Sequence, residues 1–282
     1  MDTIQQIKKT LYIDNNISAH YEIIESIIVK YKCIIGNMNI QTICLKFKPN
    51  LEFKDYIMKK YPNVKFGKPM RYHYYIGVTL YPEEYITISK KDRTTHFYIS
   101  HRVDDVFNGA KNIFYLSPLS TYNVFQADVL PFSKEKNQKQ NAIPIYIVQG
   151  DIQKRNLRLL EKILETEYPH DYRIKIVGKG TVPPQFEKYD KLILCKNYGW
   201  EQYHKEFLDC YCIIPLILKD THIHYYTHTL TSTINYARGY ELKCLIDADL
   251  QNIYNLKDVE LFNDETDICK AFEQTLVDFY NA

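Results

Sequence analysis

Residues 143–180, IPIYIVQGDIQKRNLRLLEKILETEYPHDYRIKIVGKG, constrain the fold more than any other stretch of the chain. An apolar run, Ile145–Val148, ends at Gly150. A helix-period segment follows, with Leu157, Leu160 and Leu164 on one face. A second β-rich run, Tyr172–Val177, then ends at Gly178 and Gly180. Strand, glycine loop, helix and strand in this order make the crossover unit of a doubly wound α/β domain. The unit starts in mid-chain, directly after a polar spacer. A fresh α/β domain beginning there predicts a two-domain protein with a cleft.

The spacer is PFSKEKNQKQNA, residues 131–142, which has no periodicity and is nearly all polar after Phe132. It divides a domain over 1–131 from a domain over 143–282, with 132–142 as linker. In the first part, Leu11–Ile13, Ile40–Phe47, Val64–Phe66, Tyr74–Val78, Tyr85–Ile88, His96–Ile99 and Asn112–Leu116 read as strands. Helices are expected at Ser18–Tyr31, with a core stripe of Ile23, Ile24, Ile27, Ile28 and Tyr31, and at Leu51–Tyr61. A short helix is expected at Val103–Phe107. After the spacer, strands are expected at Lys191–Cys195, Tyr211–Leu216 and Leu242–Ile246. Helices are expected at Glu201–Cys210, at Thr231–Arg238 with Gly239 as its stop, and at Asp264–Tyr280, packed near the junction. Strands alternating with helices in both parts predict parallel sheets, so the expected fold is α/β with two Rossmann-like doubly wound domains.

Composition excludes several partners. With 36 Lys and Arg against 34 Asp and Glu, the net charge of +2 offers no field for a nucleic acid. Seven scattered Cys without paired CxxC spacing fit a reducing compartment, and a cytoplasmic location is expected. The start, MDTIQQIKKTLYI, has no long apolar core of a signal peptide, and no run approaches a membrane span. No integral membrane association is expected. The sequence lacks GxGxxG and GxxxxGK[ST], which argues against a dinucleotide dehydrogenase and a P-loop NTPase.

Open α/β sheets bind ligands beyond the carboxyl ends of their strands, so the loops there hold the candidate chemistry. In QGDIQKRN, Gly150 permits close backbone approach, and the planar fork of Arg155 suits a phosphate. A capping glycine with a surface arginine is the plainer reading. In THTLTSTINYARGYELKCLID, Thr229, Thr231, Ser232 and Thr233 crowd a helix start, with Thr231 and Ser232 at its first positions, where free N–H groups and the helix dipole favour an anion. Simple N-capping is the plainer reading there. In DNNISAHYEIIES, His20 falls in a first helical turn that Ser18 can cap. A helix start disfavours imidazolium, so His20 is a candidate proton acceptor, with Glu22 and Glu25 nearby to orient it. His101, in FYISHRVDD, is the second candidate, near Asp104 and Asp105. A packed or exposed histidine is the plainer reading for both. Asp247-Ala248-Asp249 is discounted as a metal motif, because three residues are weak evidence and these lie at the end of the second domain, and the trio His222, His224 and His228 is discounted because it lacks the partners a metal needs at short spacing.

These pieces together resemble a GT-B glycosyltransferase. The resemblance is carried by the mid-chain strand–QG–helix unit, the VGKG segment, EQYHKEFLDCYCIIPL and TLTSTINYARGYELKCLID, and it is strongest over residues 143–255. NNISAHYEIIESII and NIFYLSPLS match the acceptor half more loosely. Short chains rich in Ile, Lys, Asn and Tyr are also similar to enzymes of giant DNA viruses, which would place the protein in the host cytoplasm. The resemblance implies transfer of a sugar from a nucleoside diphosphate sugar, a UDP- or GDP-sugar, to a hydroxyl of a sugar acceptor, without a cofactor or required metal. It implies that Gly150 and Arg155 lie against the diphosphate, that Thr231 and Ser232 hold its oxygens, and that Asn197 and Tyr198 face the base. One departure stands out. Many retaining members carry a glutamate within the helix after the phosphate loop, and STINYA has none. A nucleotide-sugar epimerase on the same fold, and a binding protein without catalysis, are the rival readings.

Overall fold

The computed structural model describes residues 8–15, 20–47, 50–79, 95–105, 112–131, 141–195 and 198–282. Their contacts divide the chain into two units. One holds residues up to 127 together with 228–230, and the other holds 128–227 and 231–282.

The first unit is a parallel sheet of β1 (Thr10–Asn15), β2 (Thr42–Lys46), β3 (Val64–Phe66), β4 (Tyr74–Val78), β5 (His96–Ser100) and β6 (Ile113–Tyr115), in the order β3-β2-β1-β4-β5-β6. Three helices are described, α1 (Tyr21–Lys30), α2 (Lys32–Ile35) and α3 (Leu51–Lys60). Ile23, Ile24, Ile27 and Ile28 of α1 are buried, as their spacing requires, and Tyr31 is half-buried. Asn50 caps α3 by accepting from the Phe53 N–H at 2.8 Å. Glu25 of α1 is buried and accepts from Tyr56 at 2.8 Å, Lys60 at 2.9 Å and Tyr61 at 3.0 Å, which ties α1 to α3. It is therefore engaged there rather than with His20. Residues 228–230 join this unit through an antiparallel bridge of Thr229 to Arg102.

The second unit repeats the topology. Its strands are β7 (Ile145–Asp151), β8 (Arg173–Lys179), β9 (Leu192–Cys195), β10 (Cys212–Ile213), β11 (Lys243–Asp247) and β12 (Val259–Phe262), all parallel, in the order β12-β11-β10-β7-β8-β9. Its helices are α4 (Leu157–Glu165), α5 (Trp200–Lys205), α6 (His224–Thr227), α7 (Ser232–Tyr240), α8 (Ala248–Tyr254) and α9 (Ile268–Asn281). Ile268, Phe272 and Leu276 of α9 enter the core of this unit beside Leu160, Ile163 and Leu164 of α4. Counted from the first strand of each unit, both sheets read third, second, first, fourth, fifth, sixth. That order reverses direction between the first and fourth strands, so the topological switch points lie at β1/β4 and β7/β10.

Several expected elements differ in extent. The strand expected over 211–216 is regular only at Cys212 and Ile213, with the Tyr211 and Ile214 N–H groups still donating to β7 carbonyls at 2.8 and 2.9 Å, because Leu216 turns into the left-handed region (φ 52°) and gives its carbonyl to the Asn156 N–H. The helix expected over 201–210 ends at Lys205. Beyond it, Glu206 and Asp209 turn onto the buried ammonium of Lys175 on β8, each at 2.8 Å. Gly239 does not stop α7, which continues to Tyr240 and is capped by Glu241. A Cβ on Gly239 would overlap the Val129 carbonyl, so this glycine serves close packing rather than termination. Val103 and Asp104 form a turn in place of the start of a helix. The strand expected at 85–88 and most of the spacer fall outside the described residues. Among the described residues no helix is long and apolar enough to cross a membrane.

Candidate functional site

Each switch point carries a constellation of its own. In the second unit, β7 and β8 run side by side to their carboxyl ends, where Gly150 faces Gly178. Both have positive φ, 109° and 147°. A Cβ on Gly178 would overlap the Gly150 carbonyl, and a Cβ on Gly150 would meet the Arg155 guanidinium. The glycines thus let the strand ends and the arginine approach closely.

Arg155 is buried, and its guanidinium is engaged within the protein. Nη2 donates to the Gln149 carbonyl at 2.6 Å and to Thr233 Oγ1 at 3.0 Å, and Nε donates to the same carbonyl at 3.1 Å. Thr233 Oγ1 donates to Gln149 Oε1 at 3.0 Å, and Gln149 Nε2 donates to the Tyr203 hydroxyl at 2.7 Å. The end of β7 is therefore bolted to the start of α7 and to α5 by a buried network. Aromatic packing of Phe207 on Tyr236 and Tyr240, with ring centroids 4.8 and 4.9 Å apart, holds the same face of α7 further along the helix. Gln149 and Tyr203 were not among the sequence candidates, and Thr233, one of the hydroxyls at the expected anion site, is spent instead on the Arg155 and Gln149 side chains. A polar residue inside the apolar run ending at Gly150 was the available signal.

The first turn of α7 has no side-chain cap. Thr231, at the N-cap position, makes no side-chain capping bond, and its Oγ1 is enclosed without a partner among the described residues. The first N–H groups of a helix have no intrahelical acceptor, and the dipole adds positive potential there. Ser232 begins the helix and is half-buried. Tyr198 is exposed in the loop after β9. Its phenol is pushed above the usual range, chiefly by its hydrogen bond to the Cys195 thiol. Asn197 lies outside the described residues.

In the first unit the structure brings together the two histidines that sequence left as alternatives. His20 follows β1 and stands at the N-cap position of α1 with a left-handed backbone, φ 64°. It sits one residue ahead of the first helical turn that the sequence placed it in. His101 follows β5. Their ring centroids are 5.1 Å apart, and His20 Nδ1 is 3.6 Å from Glu22 Oε1. Burial, followed by the charges of His20 and Arg102, lowers the pKa of His101 to about 4, against an opposing pull from Glu22. His101 is thus neutral at neutral pH, and its Nδ1 is enclosed without a partner. The His20 side chain keeps 22% of its surface exposed, so it is the reachable member of the pair. Asp104 pairs with Arg102 at 2.6 Å and Asp105 accepts from Ser100 at 2.7 Å, so neither carboxylate orients His101. Thr79, just beyond β4, has φ 52°, rare for a β-branched residue, and its hydroxyl donates to Asn15 at the end of β1 at 3.0 Å. This bond links the two strands across the switch point.

The remaining motifs have other surroundings. Asp247 caps α8 and accepts from the Tyr226 hydroxyl at 2.9 Å, and burial raises its pKa. It lines a pocket of about 440 Å³ with Asp220, Asp249, Asp264 and Glu265. His222 Nε2 lies 3.1 Å from the Lys154 carbonyl and Nδ1 2.7 Å from Thr221 Oγ1, so both its nitrogens are occupied. Among the described residues no group of three His, Cys, Asp or Glu is placed to hold a metal.

Two parallel six-stranded sheets of this order, each with its helices, define a two-domain α/β Rossmann-like fold of the GT-B type. No family model matches the chain, and no curated protein does. Among solved structures, the chain is similar to a glycosyltransferase from Rickettsia africae ESF-5. That match has 11% identity over 98% of this chain and 89% of the other, with a TM-score of 0.56. It is also similar to AviGT4, a glycosyltransferase involved in avilamycin A biosynthesis, with 9% identity over 97% of each chain and a TM-score of 0.52. The UDP-GlcNAc 2-epimerase from Methanocaldococcus jannaschii matches at 10% identity over 94% of this chain and 92% of its own, with a TM-score of 0.52. At these identities the likeness concerns the fold.

Proposed function

We propose that the protein is a glycosyltransferase that moves a sugar from a nucleoside diphosphate sugar to a hydroxyl acceptor. The observation that carries this reading is the start of α7. It is an uncapped helix N-terminus fixed beside the end of β7 by the Gln149–Thr233–Arg155 network, with an enclosed hydroxyl, Thr231 Oγ1, that has no partner. Such a terminus attracts a diphosphate and stabilises the negative charge that grows on it as the sugar departs. Arg155 then serves by positioning. Its guanidinium holds the loop and helix, and the backbone N–H groups with Thr231 and Ser232 meet the phosphate oxygens. The loop carrying Asn197 and Tyr198 is assigned to the base.

On the first unit, His20 is assigned as the base of an inverting transfer. It is reachable, and Glu22 Oε1 lies 3.6 Å from its Nδ1, close enough to orient the ring. His101 packs against it and stays neutral. The same donor site would serve a nucleotide-sugar epimerase, a reading supported by the archaeal epimerase among the similar folds. A panel of nucleoside diphosphates and nucleotide sugars tests the assignment by thermal shift, where a ligand at 100 times its Kd adds about 2.7 kcal/mol of stability. Product analysis with the stabilising donor then separates the readings. A transferase glycosylates an added acceptor, an epimerase alters the donor alone, and a binding protein does neither.

A further inference from the structure

We propose that Asn235 reads the donor: its side-chain amide, together with the Thr231 hydroxyl, hydrogen-bonds phosphate oxygens of the bound nucleoside diphosphate. The proposal rests on the donor reading above and extends it to a residue one turn into α7 that the sequence reading did not single out.

Asn235 is 2% exposed and Thr231 1% exposed. Asn235 Nδ2 and Thr231 Oγ1 are both enclosed, and neither has a hydrogen-bond partner among the described residues. Buried polar atoms are almost always paired, because leaving one unpaired forfeits its hydration without return. Two such atoms in the opening turns of a single helix therefore call for an explanation. Loose packing does not supply one. Thr233, between them in sequence, is bonded on both sides, accepting from Arg155 at 3.0 Å and donating to Gln149 at 3.0 Å. The aromatic residues of α7 are stacked on Phe207.

Spacing puts the two residues on one face. Positions i and i+4 share one helix face, and helical side chains lean toward the N-terminus. The Asn235 amide thus leans back over the turn that begins at Thr231, toward the end where the first N–H groups of α7 are free. Every group converging there can donate: the backbone N–H groups, the Thr231 hydroxyl and the Asn235 NH₂. The complementary ligand offers several acceptor oxygens and negative charge, which is the chemistry of a diphosphate. An amide at this place also discriminates. A carboxylate there would repel the same ligand.

Calorimetric titration of the full chain with UDP, GDP, ADP and inorganic pyrophosphate tests this, alongside the unfolding midpoint of each ligand-free variant. Asn235→Leu keeps the volume and removes the donor. Its midpoint should hold or rise, while affinity for the nucleoside diphosphate that binds the unaltered protein falls about tenfold. Asn235→Asp should weaken binding further, and Thr231→Val should weaken it without loss of fold. A structural role for Asn235 would instead lower the midpoint and leave affinity in place. If the unaltered protein binds a nucleoside diphosphate and Asn235→Leu binds it equally well, the assignment of Asn235 is overturned while the donor reading stands. If Asn235→Leu does not fold, equal affinity in Asn235→Asp overturns it in the same way. If no nucleoside diphosphate binds the unaltered protein, the donor reading fails and takes this proposal with it.

Discussion

The imidazole rings of His20 and His101 lie 5.1 Å apart, although one follows the first strand of its sheet and the other the fifth. Two candidates that sequence could only rank as alternatives are one constellation in space. Their environments differ. His101 is held neutral, while His20 is open to solvent and faces Glu22.

His20→Ala should therefore lower turnover by roughly 10²–10⁴-fold, the range for a positioned general base, and leave nucleoside diphosphate affinity unchanged. His101→Ala should cost less in turnover, through loss of packing behind His20. Steady-state kinetics with the donor found by thermal shift decide the matter. Full activity in His20→Ala together with loss in His101→Ala would transfer the role to His101.

The lowered pKa of His101 makes stability depend on pH. Its folded value, about 4, lies below the ordinary 6.5, so between these values the unfolded chain takes up a proton that the folded chain excludes. The contribution is complete above about pH 6.5 and is lost as pH falls from there toward 4, amounting to at most about 3 kcal/mol. Denaturation midpoints measured across this window should drop for the natural sequence and flatten in His101→Asn. Parallel profiles for the two proteins would contradict the assignment.

Removing Arg155 tests whether it positions or binds. Arg155→Ala strips the Gln149 carbonyl and the Thr233 hydroxyl of their buried donor, so the ligand-free protein should lose about 2–3 kcal/mol. Arg155→Lys should recover little, because an ammonium cannot reproduce the fork that reaches both acceptors. An unfolding midpoint that stays in place while diphosphate affinity collapses would return Arg155 to direct phosphate binding.

Two glycines give predictions of sign. Alanine in place of glycine inside a helix ordinarily gains about 1 kcal/mol. Gly239→Ala should lose stability instead, because the new methyl group overlaps the Val129 carbonyl. Gly178→Ala combines an unfavourable φ with overlap on the Gly150 carbonyl and should cost upward of about 2 kcal/mol. Chemical denaturation of both variants measures this, and a stabilised Gly239→Ala would refute the packing role.

Hydrophobic period and glycine punctuation along the chain were enough to place most strands of the two parallel sheets, although the edge strand β12, Val259–Phe262, was not among the expected ones. Val64–Phe66 and Tyr74–Val78 match strands β3 and β4 residue for residue, and the isoleucine stripe of α1 is the buried face. These are local properties, set by side-chain alternation and by where backbone can reverse, and a sequence displays them directly. Strand order, the meeting of His20 with His101, and the capture of the Arg155 guanidinium by Thr233 depend on residues far apart in the chain. So does the role of Gly239, which reads as a helix stop in sequence and is a packing contact in the fold. Period and propensity describe a residue's neighbours along the chain. Which polar atoms are left unpaired in the core, such as Thr231 Oγ1 and Asn235 Nδ2, is decided only when distant elements close around them.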